Sequence, residues 1–245
     1  MRVAGMILAA GLGSRMGALT ARTAKPLLPF HGRPLLGHLL DRFAETRVSE
    51  VFVNLHHLPE QIAGFLASTR TPLPVTTRVE PRLTGPAGAL RLFRAELAGF
   101  DAVLVASCDV LMGDPLQQLV DAHERGGHAL TFACTRVRGA RRYGILDIGP
   151  SDLVRGAREK PDVPDEETHW ISAGVYCLAP WTIDRVPAQG TFDYARDLAP
   201  ALIAEGAPVA VHRLAGYWRD IGTPESLRAA HRDAEAGLIP WAAPR

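Results

Sequence analysis

Lysine is nearly absent from this chain: among 245 residues only Lys25 and Lys160 are lysine, against 25 arginines. Such a bias follows genome composition, yet a planar guanidinium cannot replace a compact ammonium everywhere. Positions that keep lysine against the bias are candidates for chemistry. Cysteine is scarce too. Cys108, Cys134 and Cys177 lie far apart without metal-ligand spacing, which fits a reducing compartment. Charge of one sign is not in excess: the formal net charge is +1 and the basic residues are spread out. That removes the electrostatic footprint of a nucleic-acid binder. No apolar run is long enough to span a bilayer. Internal repeats and low-complexity segments are absent, and no hexapeptide-repeat β-helix is expected beyond the last helix. The apolar run behind Arg2 is short for a signal peptide, and the glycine-rich segment after it has a better explanation below. A cytoplasmic protein is expected, with no nucleic-acid or membrane partner.

What is present is 47% apolar residues, enough for a substantial core. Short apolar runs over 3–10, 50–55, 74–79 and 102–107 alternate with helical patterns over 34–46, 58–69, 86–97 and 114–125. This alternation predicts an α/β fold: a doubly wound, mostly parallel mixed sheet flanked by helices. Ligands of such sheets bind beyond the carboxyl ends of the strands. The loop after Ala10 and the residues after Ser107 should therefore share one site. The second half is less regular. Strands are expected over 128–135, 143–148, 171–178 and 208–214, a polar insert over 161–167, and helices over 193–206 and 224–237. It is read as an extension of the same sheet with a small lobe, so that 1–245 forms one domain.

The segment LAAGLGSRMGALTARTAKPLLP, residues 8–29, carries the strongest signal. A buried strand ending at Leu8–Ala10 runs into Gly11-Leu12-Gly13, where missing side chains let backbone N–H groups approach phosphate oxygens. Arg15 follows, placed to neutralise phosphate charge, and Lys25 precedes a proline that stiffens its loop. Met16 stands where the dinucleotide fingerprint needs a third glycine, and no Gly-Lys-Ser/Thr closes a Walker loop.

LAAGLGSRM, AKPLLP and GRPLL together resemble the signature of the sugar-1-phosphate nucleotidyltransferases. That family includes mannose-1-phosphate guanylyltransferases and glucose-1-phosphate thymidylyl- and uridylyltransferases. The resemblance continues in order through VNLHHLPEQI, EPRLTGPAGAL, SCDV, RRYGILDI, EKP, ISAGVYCLAP and GYWRDIGTPE. It implies a nucleotide-diphospho-sugar transferase-like fold, with residues 1–127 binding nucleotide and 128–245 binding sugar phosphate. It implies small-molecule substrates, an NTP and a sugar 1-phosphate, with pyrophosphate released, and leaves a homodimer open. Gly11, Gly13, Arg15 and Lys25 would hold the triphosphate, and Asp109 and Asp220 a Mg²⁺ ion. Lys160 would contact the acceptor phosphate and Glu159 the sugar hydroxyls, with Gly144, Ala173 and Gly174 lining the sugar. Arg15, Lys25, Asp109, Lys160 and Asp220 form the expected catalytic set. Positioning and charge neutralisation dominate such a reaction, which suits two lysines beside a cation-binding carboxylate pair.

Glu80, Gly85 and Gly88 are expected at the base. A carboxylate only accepts hydrogen bonds, and guanine offers adjacent donors, so Glu80 favours GTP; a backbone N–H could do the reading instead. Ser172 departs from the asparagine common at its position, and Ser107-Cys108 from a small residue before Asp109. The alternatives are a cyclitol, heptose or other non-hexose phosphate acceptor, and a catalytically silent nucleotide-binding regulatory module. His56-His57 is expected to serve a helix start and not a metal. Arg136, Arg138, Arg141 and Arg142 are expected in a solvated loop, and Tyr217 and Trp218 in packing.

Overall fold

The structure, a computed structural model, describes residues 1–242; the end of the expected domain, 243–245, lies outside the described residues. The chain begins with β1 (Val3–Leu8), a hairpin of β2 (Pro29–Phe30) and β3 (Arg33–Pro34), and helix α1 (Leu35–Ala44). Then follow β4 (Val48–Leu55), α2 (Pro59–Ser68), β5 (Val75–Val79), α3 (Arg94–Leu97), β6 (Ala102–Ser107), β7 (Val110–Met112) and α4 (Leu116–Gly126). The second half holds β8 (Leu130–Arg138), β9 (Gly144–Ile148), β10 (Val154–Glu159) and β11 (Thr168–Leu178). It closes with α5 (Ala199–Ala204), β12 (Val209–Arg213), β13 (Trp218–Asp220) and α6 (Pro224–Glu235).

The apolar strands of the first half pair in parallel. β1 lies between β4 and β6, and β5 adds outside β4. β1, β4 and β6 are mostly buried because helices cover both sheet faces, which is why they read as apolar runs, whereas no residue of the edge strand β5 is buried. Side chains of β1 alternate between two cores. Val3 and Ile7 join the helices α1, α4 and α6, while Ala4 and Met6 join Phe93, Tyr194 and Leu198. Gly5 leaves room for Phe43 of α1; a Cβ there would stand 2.6 Å from its ring.

The second half makes the sheet mixed. β11 inserts antiparallel beside β6, and it pairs β8 and β9 on its other side. β10 extends β9, and β12 runs parallel to β8. The register of β11 against β8 shifts between Ser172 and Tyr176, bulging the strand at Ala173-Gly174. Away from this sheet, β13 pairs β7 antiparallel, matching Asp220 with Val110.

The outcome is the expected α/β class, with local differences. The segment at 86–97 is mostly a 3₁₀ helix, Gly88–Phe93, and the segment at 193–206 opens with a π-helical turn, Tyr194–Leu198. β10, β7 and β13 were not expected. The strand expected over 128–135 runs on to Arg138, so Arg136 and Arg138 stand on a strand and not in a loop. Among the described residues no helix is long and apolar enough to cross a membrane.

Candidate active site

β1 and β6 end side by side, with Leu8 matched to Ser107 and the Cys108 N–H donating to the Leu8 carbonyl at 3.2 Å. A cleft of about 290 Å³ opens there, and Leu8, Ala10, Gly11, Lys25, Glu80, Gly85 and Asp109 are among its lining residues. Gly11 has nothing within 4 Å of where a Cβ would sit, so its backbone is open to a ligand. Gly13 supports the loop from behind. Its φ is +64° and a Cβ would meet Thr20 at 2.9 Å, while the Thr20 hydroxyl donates to the Gly13 carbonyl. The Gln61 side chain accepts from the Ala24 N–H at 2.9 Å and donates to the Arg22 carbonyl, which fixes the approach to Lys25.

Lys25 is buried and donates to Asp109 Oδ2 at 2.7 Å. Asp220 stands close by, its Oδ1 accepting from the Gly222 N–H at 2.6 Å, and the Ile221 N–H donates to the Asp109 carbonyl. Burial, and after it the charge of Asp109, holds the Asp220 carboxyl above the ordinary aspartate range; Arg15 and Lys25 pull the other way. A carboxylate pair left short of counter-charge fits a hard divalent cation. Among the described residues no group of three or more His, Cys, Asp or Glu could hold a metal alone. Two carboxylates completed by phosphate oxygens are the donor set Mg²⁺ prefers. Arg15 does not line the cleft: its guanidinium lies against Gly222 and Asp220 and faces a second cleft.

Glu80 differs from expectation. It lies at the cleft but is only 2% exposed. One carboxylate oxygen accepts from Asn54 Nδ2 at 2.9 Å, and the other accepts from both the Thr84 N–H and hydroxyl. With most of its acceptor positions taken, Glu80 anchors the loop. Asn54, which sequence reasoning passed over inside VNLHH, completes the link by accepting from the Ala9 N–H at 3.0 Å. The neighbouring histidines, expected to serve a helix start, bind other loops instead: His56 pairs with the Glu80 carbonyl and His57 with the Thr20 carbonyl, and neither caps α2. Gly85, at φ +83°, presses on Phe192, where a Cβ would come within 2.6 Å of a carbonyl oxygen. The Phe192 N–H donates to the Thr84 carbonyl, and the Phe192 carbonyl accepts from the Ala87 and Gly88 N–H groups. Gly88 therefore buttresses the loop and does not line the cleft.

The second-half residues converge separately. A Cβ on Gly144 would meet Ala195 at 2.8 Å and Glu159 Oε2 at 3.0 Å, with Ser172 at 3.8 Å. Burial raises the Glu159 carboxyl, opposed by its hydrogen bond to Lys160, whose Nζ stands 3.0 Å away. Lys160 itself is exposed, at φ +45°, and lines neither cleft. The Ser172 hydroxyl donates to the Tyr176 hydroxyl at 3.2 Å, and the Tyr176 ring stacks on Tyr194. The β11 bulge carries Gly174, at φ +77°, towards Val110 and Ser107, beside Asp109. Trp218 donates from Nε1 to the Ala173 carbonyl at 2.9 Å. Asp114, also missed from sequence, accepts from the Ala215 and Gly216 N–H groups and so sets the turn leading to β13 and Asp220. Cys108 lines the first cleft, and burial pushes its thiol far above the reactive range. Tyr217 packs, donating to Asp233.

The glycine loop after β1, the Lys25–Asp109 pair and Asp220 thus meet at the carboxyl edge of a mixed α/β sheet. Residues 4–237 match the nucleotidyl transferase family, and the chain belongs to it. It is 32% identical over 241 residues to the mannose-1-phosphate guanylyltransferase of Mycobacterium tuberculosis, covering 98% of this chain and 66% of that protein. It is 30% identical over 228 residues to the mannose-1-phosphate guanyltransferase of Debaryomyces hansenii, covering 91% and 62%. The chain thus spans about two thirds or less of the length of these curated relatives. Its fold is similar to that of HddC from Yersinia pseudotuberculosis, solved with GMP-PN, at TM-score 0.77 and 22% identity, covering 95% and 99%. A Bacillus anthracis protein solved with a sucrose shares the fold at TM-score 0.83 and 23% identity, covering 94% of each chain.

Proposed function

We propose that this chain is a cytoplasmic, Mg²⁺-dependent nucleotidyltransferase that joins an NTP, with GTP favoured, to a sugar 1-phosphate and releases pyrophosphate. The observation that carries the reading is Lys25 on Asp109 at 2.7 Å, with Asp220 beside them, at the mouth of the cleft behind Gly11. The base and ribose enter the apolar part of the cleft between Leu8 and Gly85. The Gly11 backbone and Lys25 orient the α-phosphate. Glu159, Gly144 and the Ala173-Gly174 bulge receive the sugar, and Lys160 meets the acceptor phosphate. An acceptor phosphate oxygen attacks the α-phosphorus in line, and the bond to the β-phosphate oxygen breaks, leaving its electron pair on pyrophosphate. Held by Asp109 and Asp220, a Mg²⁺ ion would neutralise phosphate charge during this exchange. No covalent enzyme intermediate is needed.

The preference for GTP draws support from the named relatives and not from a free carboxylate, because Glu80 is already engaged. Pyrophosphate release, measured with each common NTP against hexose, heptose and cyclitol 1-phosphates, tests the reading. The expected result is release that requires GTP, mannose 1-phosphate or a close relative, and Mg²⁺ together. Nucleotide binding without release for any pair would replace the enzyme with a binding module.

A further inference from the structure

The first cleft is short of positive charge. Lys25 is the only cation among its lining residues, and Asp109 already neutralises it. A triphosphate tail needs more. Beyond Asp220 lies a second cleft of about 520 Å³, lined by Arg15, Arg136, Arg138, Arg142 and Arg219, with Asp220 its single carboxylate. Asp233 pairs with Arg219 at 2.6 Å. The other four form no ion pair among the described residues, whereas Arg141 of the same run turns away to the Val163 carbonyl and Asp165. Arg136 and Arg138, two residues apart on β8, extend from one side of the strand, and Arg142 closes the 3₁₀ turn Ala140–Arg142 that follows. Arg136 also lies over the Trp170 ring. Arg15 belongs to the glycine loop that feeds the first cleft, yet its guanidinium lies at Gly222 and lines the second, where Asp220 feels the charge of Asp109 from the first.

We propose that this arginine cleft receives the β- and γ-phosphates of the donor and holds pyrophosphate as it leaves, with Arg136, Arg138 and Arg142 as phosphate-binding residues beyond the glycine loop. The inference rests on the reading that an NTP is the donor. Guanidinium groups suit the task because each can bind two phosphate oxygens at once, and the leaving group gains charge as the bond to the α-phosphorus breaks.

Calorimetric titrations decide it, run at constant ionic strength with Mg²⁺. Inorganic pyrophosphate, a non-hydrolysable GTP analogue and GMP are the probes. Wild type is compared with R136A, R138A, R142A, their combination and R141A, each checked by thermal melting, with glutamine versions as a second set. Each single change should weaken pyrophosphate about tenfold, and the combination more. The combination should also erase the preference for triphosphate over monophosphate, while R141A stays within about twofold. Unchanged pyrophosphate affinity in the combined variant would overturn the proposal, and so would an equal loss in R141A, which would mean net charge alone. Absence of turnover in wild type strikes the transfer reading, while the triphosphate-to-monophosphate ratio still decides the cleft.

Discussion

Lys25 donates to Asp109 Oδ2 at 2.7 Å across 84 residues of sequence, joining the loop after β1 to the end of β6. On the proposed function the pair lies beside the reacting α-phosphate, and it is partly shielded from water. Lys25→Ala leaves Asp109 and Asp220 facing one another with less counter-charge. Turnover should fall by about 10²–10³ while the melting transition stays cooperative. Lys25→Arg should not restore it, since a wider planar group does not fit the ammonium position. The check is initial-rate pyrophosphate release at saturating substrates; wild-type rates in either variant would remove Lys25 from the chemistry.

Glu80 offers a sharper contrast. Its oxygens hold Asn54 and Thr84. Glu80→Ala should therefore raise KM for every NTP by a similar factor and leave the ratio of kcat/KM between GTP and dTTP unchanged. A collapse of that ratio alone would return base reading to Glu80.

Trp218, on the strand that ends at Asp220, donates to the carbonyl of Ala173, a residue proposed to line the sugar. Trp218→Phe keeps the edge-to-face contact with Tyr143 but frees the carbonyl. One lost hydrogen bond is worth about 1 kcal/mol, so KM for the acceptor should rise about three- to tenfold with KM for the NTP unmoved. Equal changes in both constants would count against a role on the acceptor side.

His123, packed beside His128, is held neutral by burial, with its pKa lowered to about 4, and it pairs with the Thr131 hydroxyl. The unfolded histidine titrates near 6.5, so the unfolded state takes up the proton first as pH falls. Stability should be full above that pH and decline between about 6.5 and 4. From pH 7 to 5 the wild type should lose about 2 kcal/mol more than His123→Asn. Urea unfolding at the two pH values measures the difference, and parallel slopes would show that His123 does not titrate in this range.

Much of the framework was readable because buried parallel strands must be apolar throughout. β6 coincides with its apolar run, and β1 stops two residues short of the run at 3–10. β10 escaped notice because only Val154 of its six residues is buried, leaving neither alternation nor an apolar run. β7 and β13, three residues each, are too short to carry a pattern. Among site residues, Gly11 and Asp109 stand just past the strand ends where topology puts ligands, and Lys25 reaches Asp109 from a 3₁₀ turn. Asn54 and Asp114 were invisible because their roles lie in tertiary hydrogen bonds. The arginines at 136, 138 and 142 are exposed as expected, but nothing in their local spacing announces Arg15 across the cleft.

The Phe192 backbone bonds to Thr84, Ala87 and Gly88, so a residue from the second half of the chain braces the Gly85 loop of the first. On the proposed function, donor and acceptor selectivity are for that reason not separately portable. A chimaera that grafts the second half of a relative onto this first half, in order to change the sugar, would also import a foreign brace against Gly85 and disturb nucleotide choice. Recombination would succeed only when Thr84–Gly88 and Phe192 descend from the same parent, so in breeding new NDP-sugar specificities the two travel as one heritable unit.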